Sequence, residues 1–200
     1  MCLGHEEPND NTCLRYKQLK DLKGVPNRNK LLNFLPKNGN VLEVGVHYGN
    51  YSEKILDINN PKKLYLLDHW ENEDSYFTYE GNRRNIVKDK FENYPNVELK
   101  KGYFIDIINS FPDNYFDWVY LDTIHTYEQV NKELEQCRYK IKQSGFIAGH
   151  DYAKEGILEK YKYGVREAIH EFCLKYNYKL KYLTFETDIN PSFAITKIDS

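Results

Sequence analysis

Two short stretches carry side chains suited to acid–base or metal chemistry. Asp122-Thr123-Ile124-His125-Thr126-Tyr127 sets an acid and an imidazole three residues apart, and Gly149-His150-Asp151-Tyr152 sets an imidazole beside an acid. Each closes an apolar run that reads as a strand, Phe116–Asp122 and Phe146–Gly149. Adjacent parallel strands lie about 4.8 Å apart, so the two ends can converge on one small volume. Two carboxylates there suit a hard divalent cation, Mg2+ most simply. A neutral imidazole beside them suits a base. Structural readings stay open for both histidines: His125 as the N-cap of the next helix or a gap filler, His150 as a packed core histidine. Asp122 and Asp151 fit a structural reading less well, because burying unpaired acids at strand ends is costly.

A second constellation lies upstream, in Val41-Leu42-Glu43-Val44-Gly45-Val46-His47-Tyr48-Gly49-Asn50. An apolar run with an acid near its end gives way to two glycines, in the spacing Glu-x-Gly-x-x-x-Gly. That is not the Gly-x-Gly-x-x-Gly of dinucleotide binders. Glycine tolerates φ > 0 and has no Cβ to hold a ligand away. A helix from Tyr51 to about Leu56 follows, and its free N–H groups near Asn50 suit a carboxylate. Lys63–Asp68 is another apolar run ending in an acid, and an acid there can accept both hydroxyls of a ribose. Glu43 also reads as an acid capping the glycine turn, and Asp68 as a solvated loop acid. Trp70 suits a nucleoside contact or a pocket wall. Gly102-Tyr103-Phe104 and Asp106 follow the next expected strand.

The elements that must position these groups alternate. Thr12 to Phe34 reads as one or two helices interrupted at Gly24-Val25-Pro26, and Pro36 and Gly39 mark a turn. Strands are expected over Val41–Val46, Lys63–Asp68, Val97–Tyr103, Phe116–Asp122 and Phe146–Gly149, with closing strands over Leu180–Phe185 and Phe193–Ile198. Helices are expected over Asn82–Tyr94, Thr126–Lys142 and Tyr163–Tyr176. Val130, Leu134, Cys137 and Ile141 recur at the helical period, and Gly145 reads as that helix's stop. Alternating strands and helices imply βαβ units and a mostly parallel sheet. Such sheets bind ligands beyond the carboxyl ends of their strands, at the switch point in strand order. Glu43, Asp68 and Asp122 all sit at or near such ends.

Bulk properties narrow the class. Two hundred residues fit one domain, at most with an extension, and can bury a real core. The formal net charge of −2 leaves no electrostatic case for nucleic acid. No apolar run reaches membrane-spanning length, and Met1 to Gln18 lacks a signal-peptide core. Cys2, Cys13, Cys137 and Cys173 are far apart and read as reduced thiols in a cytoplasmic protein. The 18 tyrosines fit a compositional bias better than a stacking surface.

The upstream motif resembles the first motif of the class I methyltransferases that use S-adenosylmethionine (SAM). Residues 117 to 152 resemble the metal-assisted O-methyltransferase branch, especially antibiotic- and sugar-modifying enzymes, through Asp-x-x-His-x-Tyr, a long charged helix, Ser-Gly before the next strand and Gly-His-Asp-Tyr. Tyr163-Gly164-Val165-Arg166-Glu167-Ala168 resembles that branch's next helix, and the likeness runs from about Asn40 to Phe172. It implies a Rossmann-like fold with a mostly parallel seven-stranded sheet flanked by helices over 40–200, preceded by an N-terminal helical extension over 1–39. It implies SAM held by Glu43, Gly45, His47, Gly49, Tyr51, Ser52, Asp68, His69, Tyr103 and Asp122, with Gly102-Tyr103-Phe104 and Asp106 where an adenine contact falls. It implies Mg2+ on Asp122 and Asp151, with His150 as a third candidate ligand and His125 as the base. The macrolide-sugar members have an acid near the position of His150. Imidazole suits Mg2+ less well than oxygen does, so His150 stands behind a ligand, the metal differs, or metal dependence is lost.

The reaction expected is transfer of the SAM methyl to a hydroxyl of a sugar or glycan, or of a catechol-like phenol. The loop Glu71 to Gly81, with Tyr76, Phe77 and Tyr79, reads equally as a lid over the acceptor or as an ordinary aromatic loop. The segment before Asn40 suits a homodimer contact or part of the substrate cover. A non-catalytic SAM- or nucleotide-binding module is the alternative. A metal-dependent hydrolase ranks lowest, because it leaves the glycine turn and Asp68 without a task.

Overall fold

The computed structural model describes residues 13–70, 83–153, 163–186 and 190–198. Its strands are β1 (Lys23–Val25), β2 (Asn40–Val44), β3 (Lys63–Asp68), β4 (Val97–Lys101), β5 (Phe116–Leu121), β6 (Ile141–Gly149), β7 (Tyr178–Thr184) and β8 (Phe193–Lys197). Its helices are α1 (Tyr16–Leu19), α2 (Arg28–Leu31), α3 (Asn50–Asn59), α4 (Arg83–Phe91), α5 (Phe104–Ile108), α6 (Tyr127–Lys140) and α7 (Val165–Tyr176), with a 3-10 turn over Leu32–Phe34. The strands form one sheet in the order β1-β7-β8-β6-β5-β2-β3-β4. Among the described residues, only β8 runs antiparallel to its neighbours.

The sheet has eight strands rather than the expected seven. The extra one is β1, parallel to β7, with Val25 buried. Three residues beside Pro26 are too short to show a period, so this stretch reads from sequence as a break between helices. Residues 13–39 are therefore part of the sheet as well as helical. It is also tied to the core, since Asn59 Nδ2 donates to Leu32 O (2.8 Å) and Trp118 Nε1 donates to Pro36 O (3.0 Å).

Each central strand buries both faces, which is why the parallel strands read as near-continuous apolar runs. Leu42, Val44, Val119 and Leu121 face one core with Phe104, Ile108, Val130, Leu134, Ile169 and Phe172, from α5, α6 and α7. Val41, Leu64, Leu66, Trp118 and Tyr120 face the other with Leu31, Ile55, Val87 and Phe91, from α2, α3 and α4. Thr126 caps α6, its side chain accepting from Gln129 N–H. The helix stops at Lys140, and Ile141 already pairs with Phe116. Gly145 thus lies inside β6 instead of ending the helix.

Cys13 is disulfide-bonded, against the expectation of four reduced thiols, whereas Cys137 and Cys173 are free and buried. No helix among the described residues is long and apolar enough to cross a membrane.

Candidate active site

Strand register brings the chemical groups to one end of the sheet. Val44 pairs with Leu67 on one side and Leu121 on the other, and Leu121 pairs with Gly149. The next residues, Gly45, Asp68, Asp122 and His150, therefore emerge at one level. The strand order reverses between β2 and β5, so a crevice opens there. It is a cleft of about 610 Å³ whose lining includes Glu43, Gly45, Asp68, Asp122 and His125.

Gly45 (φ 86) takes a backbone conformation that other residues rarely adopt, and a Cβ there would come within 1.8 Å of the Asp122 carbonyl oxygen. Only glycine lets β2 and β5 approach so closely at the floor of the cleft. Asp68 holds the rim. Its Oδ2 accepts from His47 N–H (2.9 Å) and its Oδ1 from Trp70 N–H (2.7 Å). Trp70 Nε1 in turn donates to His47 O, so the tryptophan walls the cleft and braces the glycine turn. His69 and Tyr103, the latter one of the residues expected near an adenine, stack with ring centroids 5.5 Å apart. Asp106 does not line the cleft.

Gly49 and Ser52 stand behind the cleft wall. Gly49 caps α3 (φ 72), and the Ser52 hydroxyl donates to Glu43 Oε2. Glu43 is 2% exposed, and burial pushes its carboxyl up to about 8 despite that hydrogen bond. The folded protein binds this proton and the unfolded chain releases it near the ordinary value of 4.5, so stability falls as pH rises between about 5 and 8. The slope assignable to Glu43 approaches roughly 1.4 kcal/mol per pH unit. Chemical denaturation at pH 5, 6.5 and 8 is expected to show Glu43→Gln losing less stability over this range than wild type; equal losses would mean that Glu43 ionises freely.

On the other side of the cleft, His125 Nε2 lies 2.9 Å from Asp151 Oδ2 and 3.4 Å from Asp122 Oδ1. Burial alone would lower the His125 pKa, but the two carboxylates outweigh it and raise it to about 9. Burial likewise opposes ionisation of Asp151, yet hydrogen bonds from His125 and His150 hold its carboxyl well below the usual range. Ligand atoms of Asp122, His125 and Asp151 all lie within 4.8 Å of one another.

His150, expected among the metal ligands, is outside this cluster. Its Nδ1 sits 3.1 Å from Asp151 Oδ1, so it stands behind that carboxylate. Asp151 adopts a left-handed backbone (φ 58) that turns the chain sharply after β6. Asn190 Nδ2 holds the same Asp151 oxygen at 2.9 Å.

Arg28 and Glu133 are among the cleft residues that a reading of the sequence does not single out. Arg28, at the start of α2, brings its NH1 to 3.5 Å from Asp122 Oδ2, and nothing in the polar stretch around it announces this. Glu133 is fully buried on α6, hydrogen-bonded by Thr123 Oγ1 (2.9 Å) and Gln129 Nε2 (2.8 Å), and burial raises its carboxyl to about 7. Its signal was available, because Val130, Glu133, Leu134 and Cys137 share the buried face of that helix. The aromatic loop read as a lid lies outside the described residues.

A family model described as a methyltransferase domain matches residues 42–152. No curated protein matches the sequence. The structure is similar to a protein from Sulfolobus solfataricus described as a type 11 methyltransferase (17% identity, 82% of this chain and 86% of that one, TM-score 0.58). It is similar to a SAM-dependent methyltransferase from Aquifex aeolicus (18% identity, 82% and 85%, TM-score 0.57). A third likeness is to fibrillarin from Aeropyrum pernix, solved with natively bound SAM (12% identity, 84% and 73%, TM-score 0.59). At these identities the likenesses are of fold, and the fold they share is the Rossmann-like α/β architecture expected from the sequence.

Proposed function

This chain belongs to the methyltransferase-domain family, and from that premise we propose that it transfers the methyl group of SAM to a hydroxyl of a sugar or glycan, with His125 as general base. The observation that carries this reading is the meeting of His125, Asp122 and Asp151 at the cleft bounded by the glycine turn and Asp68. SAM supplies an electrophilic methyl on its sulfonium. The protein's tasks are to align the acceptor oxygen with that methyl and to take its proton. In the proposed complex Asp68 accepts from the ribose hydroxyls, the stacked pair of His69 and Tyr103 lies against the adenine, and the turn ahead of α3 holds the amino-acid end.

The donor set fits a divalent cation, because two carboxylates from different strands converge with an imidazole between them. Asp122 and Asp151 would hold the ion, with His150 supporting Asp151 from behind. Bound there, it would lower the pKa of an acceptor hydroxyl. Its charge would also oppose the proton on His125, leaving Nε2 free to accept one.

Transfer of labelled methyl from SAM to a panel of sugars and glycans, with catechol in parallel, tests the reading. Label is expected in a sugar, and a chelator is expected to slow transfer by about tenfold or more, reversed by Mg2+. Label in catechol alone would overturn the sugar assignment. Tight SAM binding with no transfer to any acceptor would favour the non-catalytic module.

A further inference from the structure

We propose that Arg28 recognises the carboxylate at the amino-acid end of the bound sulfonium nucleoside, so that the segment ahead of Asn40 completes the cofactor site. The inference rests on the SAM reading above and adds a residue that no motif points to.

Arg28 is positioned from several directions. Asn27 caps α2 by accepting from Lys30 N–H (3.0 Å). Arg28 N–H donates to Glu186 Oε1 (2.7 Å), and its carbonyl accepts from the Tyr51 hydroxyl (3.2 Å). Just before it, β1 is paired to β7. Four contacts therefore fix the backbone from which this side chain reaches the cleft, and its guanidinium lies 5.1 Å from the centre of the Tyr51 ring. Such anchoring is what a ligand-binding arginine needs and a surface arginine lacks.

The guanidinium is only partly engaged by its neighbours, the Tyr120 hydroxyl and the Asp122 carboxylate. Its ion pair with Asp122 is 3.5 Å long, against about 2.7–2.9 Å for a well-formed charge-assisted bond. Arginine carries five N–H donors in a planar fork that matches a carboxylate.

The charges around it complement a zwitterion. Asp122 lies 3.5 Å from the Arg28 guanidinium and lines the same cleft. An amino-acid end group needs acceptors for its ammonium within a few ångströms of donors for its carboxylate. Here Asp122 and the backbone of the glycine turn supply the first. Arg28 supplies the second, beside the N-terminus of α3.

The test compares two ligands that share the nucleoside and differ only at this end: S-adenosylhomocysteine, and 5′-methylthioadenosine, which lacks the amino-acid group. Calorimetry on wild type is expected to show tighter binding of the first. Arg28→Ala is expected to weaken S-adenosylhomocysteine by about 10- to 100-fold and to leave methylthioadenosine within about twofold, which also reports that the variant is folded. Arg28→Lys should recover part of the loss, because it restores the charge without the fork. Equal weakening of both ligands, or no change in either, would overturn the assignment. If wild type binds methylthioadenosine and S-adenosylhomocysteine equally, the carboxylate has no partner in the site and the assignment fails while the nucleoside site stands. Binding of neither ligand to wild type would overturn the SAM reading itself, and this inference with it.

Discussion

Replacing His125 with alanine is expected to lower kcat by about 100- to 10,000-fold while leaving the affinity for S-adenosylhomocysteine within about threefold of wild type. The size follows from general-base catalysis by a positioned side chain. The selectivity follows from geometry: the imidazole stands with Asp122 and Asp151, across the cleft from Asp68, His69 and Tyr103. The backbone role of residue 125 survives the change, because its carbonyl accepts from Gly164 N–H (2.9 Å). Removing the imidazole does leave two carboxylates facing each other without it. His125→Asn keeps a polar group between them and separates lost chemistry from lost folding. Without a bound cation, the raised pKa of about 9 on His125 also predicts that turnover climbs as pH rises toward 9. Turnover within about fivefold of wild type in both variants would remove His125 from the reaction.

Asp68→Ala is expected to weaken S-adenosylhomocysteine by about 100-fold or more. Two losses combine. The ribose loses a charged acceptor, a contact of the kind that contributes about 1.5–3 kcal/mol. The His47 and Trp70 N–H groups, now held at 2.9 and 2.7 Å, lose their acceptor, so the glycine turn and the loop after β3 are no longer tied together. Asp68→Asn keeps a single acceptor oxygen and should weaken binding by about tenfold. Titration calorimetry on the three proteins checks the order. Alanine binding as well as wild type would reduce Asp68 to a loop acid.

The parts of this fold that were legible in the sequence are those whose burial is written as composition. Strands β2, β3 and β5 are covered on both faces, so Val41–Val44, Leu64–Leu67 and Trp118–Leu121 read as apolar runs, and the acids at or near their ends stand out. The long amphipathic α6 shows its period plainly. Short elements have no room for a period: β1 is three residues and α5 is five, with Phe104 and Ile108 as its buried pair. Side-chain partnership is less legible still. Spacing put an imidazole and an acid together at both strand ends, but which histidine meets both carboxylates depends on the β5–β6 register and on the left-handed turn at Asp151. Arg28 reaches the cleft only because β1 and Glu186 place α2 there, a tertiary fact that a local pattern does not carry. Glu133 shows the opposite case, an acid on an otherwise apolar helical face, where the conflict between residue type and position was itself the signal.

Whether the cleft between β2 and β5 is a SAM site is tested most directly by titration of S-adenosylhomocysteine into the wild-type protein. Saturable one-to-one binding in the micromolar range is the expected result. No saturable binding, with or without Mg2+, would contradict the account and leave the cluster of Asp122, His125 and Asp151 to be explained by different chemistry.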